Sequence, residues 1–196
     1  MLLEQPAGLP GPFTLYLARH AAPDRTRFDL PYHIPPGPNL TEKGLREAAE
    51  LGEFLCGAGV VHFLASPLER AWRTATIAAE TCGATLELNQ DLTEWRPEEN
   101  ESTVLARVQQ AFETGLSLAM AKGGPVALVT HGGPILAALR WLGAPAETLE
   151  RMRIYDNRNP LPTAGAWRIE RLDGGELHAQ LAFAPAGVMI PTERSF

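Results

Sequence analysis

Short apolar runs alternate with longer amphipathic segments along this chain. Four runs have the length and apolar composition of buried strands, at residues 13–18, 60–65, 85–88 and 125–130. Apolar residues recur at helical spacing in segments that open near Thr41, Ser66, Ser102 and Ile135. Strands that alternate with helices predict an α/β fold with three layers, in which a mostly parallel central sheet has helices on both faces.

Local signals sharpen the boundaries of these segments. Ser66, Pro67 and Glu69 have the spacing of a capping box, which predicts Ser66 as the N-cap of the second helix. Residues 21–40 contain several prolines and predict a long surface loop. Residues 166–172 and 176–183 flank a Gly-rich turn at 173–175, which predicts a hairpin that adds antiparallel strands at one edge of the sheet.

Length and composition indicate one globular domain spanning residues 1–196. The chain is 45% apolar and 20% charged, and it contains no apolar run as long as a membrane-spanning helix. Its amino terminus lacks the basic and apolar regions of a signal peptide, so we expect a cytoplasmic protein. The net charge of -6 disfavours nucleic acid and acidic membrane surfaces as partners. Cys56 and Cys82 lie in helical patterns and are interpreted as small buried residues.

Polar residues follow the ends of the predicted strands. Ligands bind at the carboxyl ends of strands in sheets of this kind, so these residues are expected to meet at one rim. They are Arg19 and His20 after the first strand, Ser66 and Arg70 after the second, Glu94 after the third, and His131 with Gly132 and Gly133 after the fourth.

This set of residues has the chemistry of a phosphate site. Arg19 and Arg70 provide forked cations that match a phosphomonoester, and helix amino termini add backbone N–H groups. Nearby arginines favour the neutral imidazole of His20, which is therefore the candidate nucleophile. His131 is expected to donate a hydrogen bond to the phosphoryl oxygens. Glu94 is the candidate proton donor to the departing alcohol and the candidate base for the water that follows.

The ordered motifs resemble those of the histidine phosphatase superfamily, the phosphoglycerate mutase-like family. The matching stretches are Arg-His-Ala at 19–21, Leu-Thr-x-x-Gly at 40–44, Ser-Pro-x-x-Arg-Ala at 66–71 and His-Gly-Gly at 131–133. The resemblance implies that His20 becomes phosphorylated, that Arg19, Arg70 and His131 bind the phosphoryl group, and that neither a metal nor another cofactor is needed.

The chain departs from the family pattern at three places. Ala21 replaces a glycine. The family often has Asn or Ser several residues beyond the nucleophile, where this chain has Asp24, Arg25 and Thr26, and Thr26 is the candidate for that phosphate contact along with the backbone at Gly132. The acid region lacks the usual Gly-x-Trp-Glu-Gly continuation, so Glu98 and Glu99 remain alternatives to Glu94 as proton donor.

The favoured function is therefore hydrolysis of a small phosphorylated metabolite. A phosphoglycerate mutase-type transfer and a noncatalytic phospholigand-binding module remain the alternatives. An acyl hydrolase is disfavoured because no nucleophile elbow lies at a strand-to-helix turn. His33, His62 and His178 show no metal-ligand spacing. The sequence leaves the substrate and the oligomeric state open.

Overall fold

The computed structural model describes residues 11–172 and 175–190. Residues 1–10, most of the predicted hairpin turn at 173–174, and residues 191–196 lie outside this part. Within it, the strands are β1 (Phe13–Arg19), β2 (His62–Ala65), β3 (Thr85–Leu88), β4 (Val126–Thr130), β5 (Ala166–Arg171) and β6 (Leu177–Phe183). The helices are α1 (Glu42–Gly57), α2 (Glu69–Cys82), α3 (Glu101–Lys122), α4 (Gly132–Trp141) and α5 (Ala146–Met152).

The six strands form one sheet in the order β3-β2-β4-β1-β5-β6. The strands β1, β2, β3 and β4 all run parallel to one another. In contrast, β5 runs antiparallel to β1, and β6 runs antiparallel to β5. The predicted mostly parallel sheet with an antiparallel hairpin at one edge is confirmed. Since β1 and β4 are central and parallel, their carboxyl ends lie side by side, with Arg19 opposite Thr130.

Helices cover both faces of the sheet because side chains along each strand alternate between two cores. Leu15 and Leu17 of β1 belong to the core that α3 and α4 cover, whereas Tyr16 and Ala18 belong to the core that α1 and α2 cover. Both faces of β1 are therefore dry, which explains its continuous apolar pattern. The predicted three-layer arrangement is confirmed.

The motif glycine at the start of α1 allows a close backbone approach. The predicted start of this helix near Thr41 is confirmed: Thr41 is the N-cap, and its hydroxyl accepts a hydrogen bond from the Gly44 amide. A Cβ atom at Gly44 would collide with the carbonyl of Ala22. The glycine thus lets α1 pack directly against the backbone that follows His20.

The predicted capping box at Ser66 is wrong. α2 begins at Glu69 with Leu68 as its N-cap, and no side chain caps it. The Ser66 hydroxyl accepts only a 3.3 Å hydrogen bond from the Leu68 amide and lies closer to His131. The Ser66 hydroxyl therefore hydrogen-bonds to His131 instead of capping α2.

Other differences concern helix ends and short elements. α3 begins one residue before Ser102, with Asn100 as its N-cap, and α4 begins at Gly132, three residues before Ile135. α5 and a short 3-10 turn at Asp156–Arg158 have no counterpart in the sequence prediction. Both are too short to give a periodic pattern.

The interpretation of the cysteines as small buried residues is wrong at Cys56 and only partly met at Cys82. Cys56 is exposed and Cys82 is half-buried, and both are free thiols. In the described part of the chain, no helix combines the length and the apolar character needed to cross a membrane.

Candidate active site

His20 is fixed at the carboxyl end of β1 through its backbone and its ring. Its amide donates to the carbonyl of Thr130 at 2.9 Å, which holds it against β4. Its Nδ1 lies 2.8 Å from the carbonyl oxygen of Ala21. A carbonyl only accepts, so Nδ1 carries the proton and Nε2 keeps its lone pair. Burial, reinforced by the charges of Arg70 and Arg19, holds the pKa of His20 well below its usual range.

His131 lies beside His20 at the end of β4. The two ring centroids are 5.2 Å apart. His131 Nε2 is 2.8 Å from the Ser66 hydroxyl at the end of β2, and its Nδ1 is 3.9 Å from Glu94 Oε2. Burial and then the charge of Arg70 lower the pKa of His131 well below its usual range. Both imidazoles are therefore neutral near pH 7.

Arg19 is held by a carboxylate that the sequence analysis did not identify. Its Nη1 and Nη2 donate to the two carboxylate oxygens of Asp156 at 2.6 and 2.8 Å, and Nη1 also donates to the carbonyl of Leu161. The terminal fork of the guanidinium is thus occupied by protein. Only the Nε edge of Arg19 is available to a ligand.

Arg70 is held by the proline-rich loop. Its Nη1 donates to the carbonyl of Tyr32 at 2.7 Å, and its guanidinium carbon lies 4.0 Å from the centroid of the Tyr32 ring. Within the described residues Arg70 forms no ion pair. Its positive charge is therefore uncompensated, and its Nε and Nη2 edge matches two oxygens of one phosphoryl group.

Four buried nitrogens of this cluster have no hydrogen-bond partner among the described residues. They are Arg19 Nε, Arg70 Nε, Arg70 Nη2 and His131 Nδ1. A buried polar group without a partner costs about 1–3 kcal/mol, so such a concentration on three neighbouring side chains points to a ligand. A tetrahedral oxyanion could accept from all four.

Glu94 is the carboxyl that reaches this cluster. It follows β3 and a 3-10 turn, and its Oε1 accepts a 2.8 Å hydrogen bond from the Trp95 amide. Burial raises the pKa of Glu94, against the lowering effects of that hydrogen bond and of Arg70 and Arg19. A raised pKa favours the protonated carboxyl that a proton donor needs.

The two alternative acids are placed differently. Glu98 is exposed. Glu99 pairs with Arg107 at 2.7 Å, and its hydrogen bonds to Arg107 lower its pKa. Arg107 also donates to the carbonyls of Thr93 and Glu94, so this pair supports the backbone of the acid loop. Of the three candidates, the geometry brings only Glu94 next to His131.

Gly132 and Gly133 allow close packing at the start of α4. A Cβ atom at Gly132 would overlap the side chain of Asn159, and one at Gly133 would lie 3.0 Å from Glu94 Oε1. Any larger residue would displace the acid loop or the 153–159 segment. These glycines therefore keep both loops close to the strand ends.

Thr26 lies apart from the cluster. Thr26 is exposed, and its hydroxyl donates a hydrogen bond to Asp24 at 2.6 Å. Its neighbour Arg25 instead contributes to the wall of a cavity of about 300 Å³ beside the cluster. The lining residues of that cavity are Arg19, Arg25, Tyr32, Glu94, Trp95, Gly132, Gly133, Leu136, Arg153, Asn157, Arg158 and Asn159.

Sequence reasoning missed the 153–159 segment and Tyr32. The segment follows α5 and reads Arg-Ile-Tyr-Asp-Asn-Arg-Asn, a density of charged and amide side chains that could have marked it. Tyr32 stands among the prolines of the long loop, with no motif to single it out.

His20, Arg70 and His131 lie deeper than the residues that line the cavity and are at most 1% exposed. In the described part of the chain, no three His, Cys, Asp or Glu residues are grouped as a metal site would require.

Comparisons with known proteins show the family of this chain. The profile of the histidine phosphatase superfamily (branch 1) matches residues 15–102 and 96–159. A probable phosphoglycerate mutase, GpmB, of Erwinia tasmaniensis is 30% identical, over 67% of this chain and 79% of that protein.

Solved structures share the fold at lower identity. A phosphoglycerate mutase from Bacillus anthracis is 17% identical with a TM-score of 0.68, covering 89% of this chain and 94% of that one. A mycobacterial glucosyl-3-phosphoglycerate phosphatase is 20% identical with a TM-score of 0.63, covering 86% and 97%. With the profile match extending across both histidine motifs, the conclusion is that this chain belongs to the histidine phosphatase superfamily.

Proposed function

We propose that this protein is a phosphatase that hydrolyses small organic phosphomonoesters through a phosphohistidine intermediate, without a metal ion. The observation that carries the proposal is the group of unpartnered donors on Arg19, Arg70 and His131 around the neutral ring of His20. Arg19 and Arg70 supply the positive charge that phosphoryl transfer needs and the neutral His131 adds a hydrogen-bond donor, so the site does not depend on a metal cation for that charge.

In the first step, His20 Nε2 attacks phosphorus and the bond from phosphorus to the ester oxygen breaks. The Nδ1 hydrogen bond to Ala21 leaves Nε2 as the nucleophilic atom and stabilises the ring as it gains positive charge. Arg19, Arg70 and His131 hold the phosphoryl oxygens. Protonated Glu94 transfers its proton to the departing alkoxide, so the products are an alcohol and a phosphohistidine.

In the second step, water attacks the phosphohistidine. Glu94, now a carboxylate, takes a proton from that water as the oxygen bonds to phosphorus and the bond to Nε2 breaks. Inorganic phosphate leaves, His20 returns to its neutral form and Glu94 is protonated again. One carboxyl thus acts as acid and then as base, which fits its position 3.9 Å from His131.

A mutase is the second candidate, because the Erwinia tasmaniensis relative is described as a probable phosphoglycerate mutase. Such an enzyme must retain the first product and shield the phosphohistidine from water. Arg25 lines the cavity beside the site and its side chain is 48% exposed, which favours access of water and hydrolysis.

The two candidates differ in their products. Purified protein with chelator is incubated with a panel of phosphorylated metabolites, and inorganic phosphate and isomerised ester are both measured. Hydrolysis that persists in chelator supports the phosphatase. Isomerised ester as the main product supports the mutase, and binding without either product supports a noncatalytic module.

A further inference from the structure

Two buried polar side chains lie next to the nucleophile but have no part in the chemical steps above. Glu47 of α1 is 3% exposed, and Thr74 of α2 is fully buried. A glutamate is almost never buried unless its oxygens are paired, because taking a polar group out of water costs free energy. The hydrogen-bond partners of these two side chains therefore indicate what they do.

Both side chains bind backbone amides of the segment that follows the nucleophile. Thr74 Oγ1 accepts a hydrogen bond from the Ala21 amide at 3.0 Å, and Glu47 Oε2 accepts one from the Ala22 amide at 2.8 Å. Thr74 uses its own proton to donate to the carbonyl of Arg70 at 2.6 Å, which leaves its lone pairs to accept from Ala21. The two helices thus hold the peptide groups on both sides of the Ala21 Cα atom.

The peptide group between Ala21 and Ala22 connects Glu47 to the ring of the nucleophile. Its N–H donates to Glu47 Oε2, and its carbonyl oxygen lies 2.8 Å from His20 Nδ1. The peptide group is planar, so a bond that fixes the N–H also fixes the direction of the carbonyl. The hydrogen bond of one ring nitrogen decides which nitrogen carries the proton, so Glu47 acts on the tautomer of His20 through one peptide group.

The carboxylate of Glu47 is itself held in place. Its Oε1 accepts from the Thr163 hydroxyl at 3.0 Å and lies 3.3 Å from Lys43 Nζ. All of these partners are donors, as an acceptor-only carboxylate requires. Each bond in a buried chain of hydrogen bonds polarises the next, so Glu47 strengthens the bond from His20 Nδ1 as the ring gains positive charge.

We propose that Glu47 and Thr74 are positioning residues for His20. They hold the backbone around Ala21 so that Nδ1 keeps the proton and Nε2 keeps the lone pair that attacks phosphorus. The effect on turnover rests on the proposed phosphatase function, whereas the effect on the ring is a property of the free protein. Neither residue is among the described residues that line the cavity, so substitutions there should change kcat more than KM.

Substitutions of Glu47 test its role as an acceptor. Glu47→Met keeps the length of the side chain but removes the oxygens, so kcat should fall about 10- to 100-fold while KM changes less than about threefold. Glu47→Gln retains an oxygen that can accept from the Ala22 amide, so kcat should stay within about threefold of the wild type. Glu50→Met is the matched control: Glu50 of the same helix accepts from the Ala186 amide at 2.7 Å, and its loss should leave kcat unchanged.

Substitutions of Thr74 test the second peptide group and decide the case if Glu47→Met does not fold. Thr74→Val removes the hydroxyl that accepts from Ala21 and should lower kcat about tenfold, whereas Thr74→Ser keeps the hydroxyl and should retain most of the activity. Thr76→Val is the matched control. The Thr76 hydroxyl makes the same bond within the helix, to the carbonyl of Trp72 at 2.9 Å, so the control removes that bond alone and should leave kcat unchanged.

Nitrogen NMR of His20 separates positioning from general damage. In the free wild-type protein the proton should lie on Nδ1. Glu47→Met and Thr74→Val should each show the proton shifting toward Nε2, because the Ala21 carbonyl is no longer held in place to accept from Nδ1. Glu50→Met and Thr76→Val should give the wild-type signals.

The outcomes distinguish this inference from the phosphatase proposal. An unchanged kcat and an unchanged His20 tautomer in folded Glu47→Met or folded Thr74→Val would overturn the positioning role, while hydrolysis by the wild type would still support the phosphatase. A loss in Glu47→Gln as large as in Glu47→Met would also overturn it, because the acceptor oxygen would then not be what matters. A shifted tautomer in these variants, with no hydrolysis by the wild type, would support the positioning role and overturn the phosphatase.

Discussion

The strand ends and the 153–159 segment contribute to the same site in different ways. Arg19, His20 and His131 extend β1 and β4 and are at most 2% exposed. Arg158 belongs to a short turn on the surface and is 72% exposed. The groups proposed to hold the phosphoryl group stand at the ends of strands and in the first turn of α2, whereas residues 153–159 lie in a turn at the wall of the cavity.

This difference separates chemistry from selectivity. A change at the strand ends disturbs buried, mutually dependent groups and should abolish turnover. The 153–159 segment is largely exposed to solvent, so a substitution there should alter which ester is preferred. The predictions below concern the strand ends and the acid loop, where the largest effects are expected.

The largest effect is expected for His20→Ala. Removing the nucleophile should lower kcat at least about 10⁴-fold on every ester, because no other described group stands in the same position. His178→Ala is the matched control, since His178 lies on the edge strand β6 and pairs with Glu176. Turnover by His20→Ala within tenfold of the wild type would contradict the assigned nucleophile.

Glu94→Gln should come next and should depend on the leaving group. Loss of the proton donor should lower kcat/KM for alkyl phosphates about 10²- to 10⁴-fold, and much less for nitrophenyl phosphate, whose leaving group needs no proton. The exposed Glu98 provides the control variant Glu98→Gln, which should retain activity. An equal loss on both types of ester would argue against Glu94 as the acid.

The pH profile of the wild type should follow from the shifted pKa values. Lowered pKa values keep His20 neutral as pH falls through 6.5, so activity should persist in mildly acidic solution and decline only well below that value. Activity on alkyl phosphates should fall as pH rises through the raised pKa of Glu94, because the proton donor is lost. Initial rates with an alkyl ester between pH 4 and pH 9 measure both the acidic and the basic decline. The variant Glu94→Gln should lack the decline on the basic side. A decline centred at 6.5 on the acidic side would contradict the burial argument.

Ser66→Ala should have the smallest effect of this series. Its hydroxyl can donate to His131 Nε2, which keeps the proton on Nδ1 for the phosphoryl oxygens. We expect kcat to fall about tenfold, as for loss of one positioning hydrogen bond. Nitrogen NMR of His131 should show a shift of the proton from Nδ1 toward Nε2, which a purely structural role of Ser66 would not produce. An unchanged tautomer would remove Ser66 from the positioning of His131.

The sequence predicts the sheet and the strand-end residues because the same apolar runs determine both. A buried run such as β1 must end where polar residues begin, so Arg19 and His20 are placed as soon as the strand is recognised. The Thr41 cap of α1 is equally local, since its hydroxyl accepts from the amide of Gly44 three residues further on.

Other features depend on contacts that sequence spacing does not encode. Ser66 has the spacing of a helix cap, yet a histidine 65 residues away takes its hydroxyl. Asp156 pairs with an arginine 137 residues away, through a turn too short to produce a periodic pattern. Thr26 follows a family position but engages Asp24 instead. For Ser66 and Asp156 a tertiary contact decides, whereas a carboxylate two residues away accepts the hydrogen bond of Thr26.

The phosphorylated state of His20 tests the central claim most directly. Wild-type protein is mixed with an alkyl phosphate in chelator, quenched in alkali at successive times and digested, and the peptide containing His20 is followed by mass spectrometry. The account predicts a phosphoryl group on His20 that forms at least as fast as the first turnover and decays as inorganic phosphate appears. Phosphate release without phosphorylation of His20, or with the phosphoryl group on another residue, would contradict it.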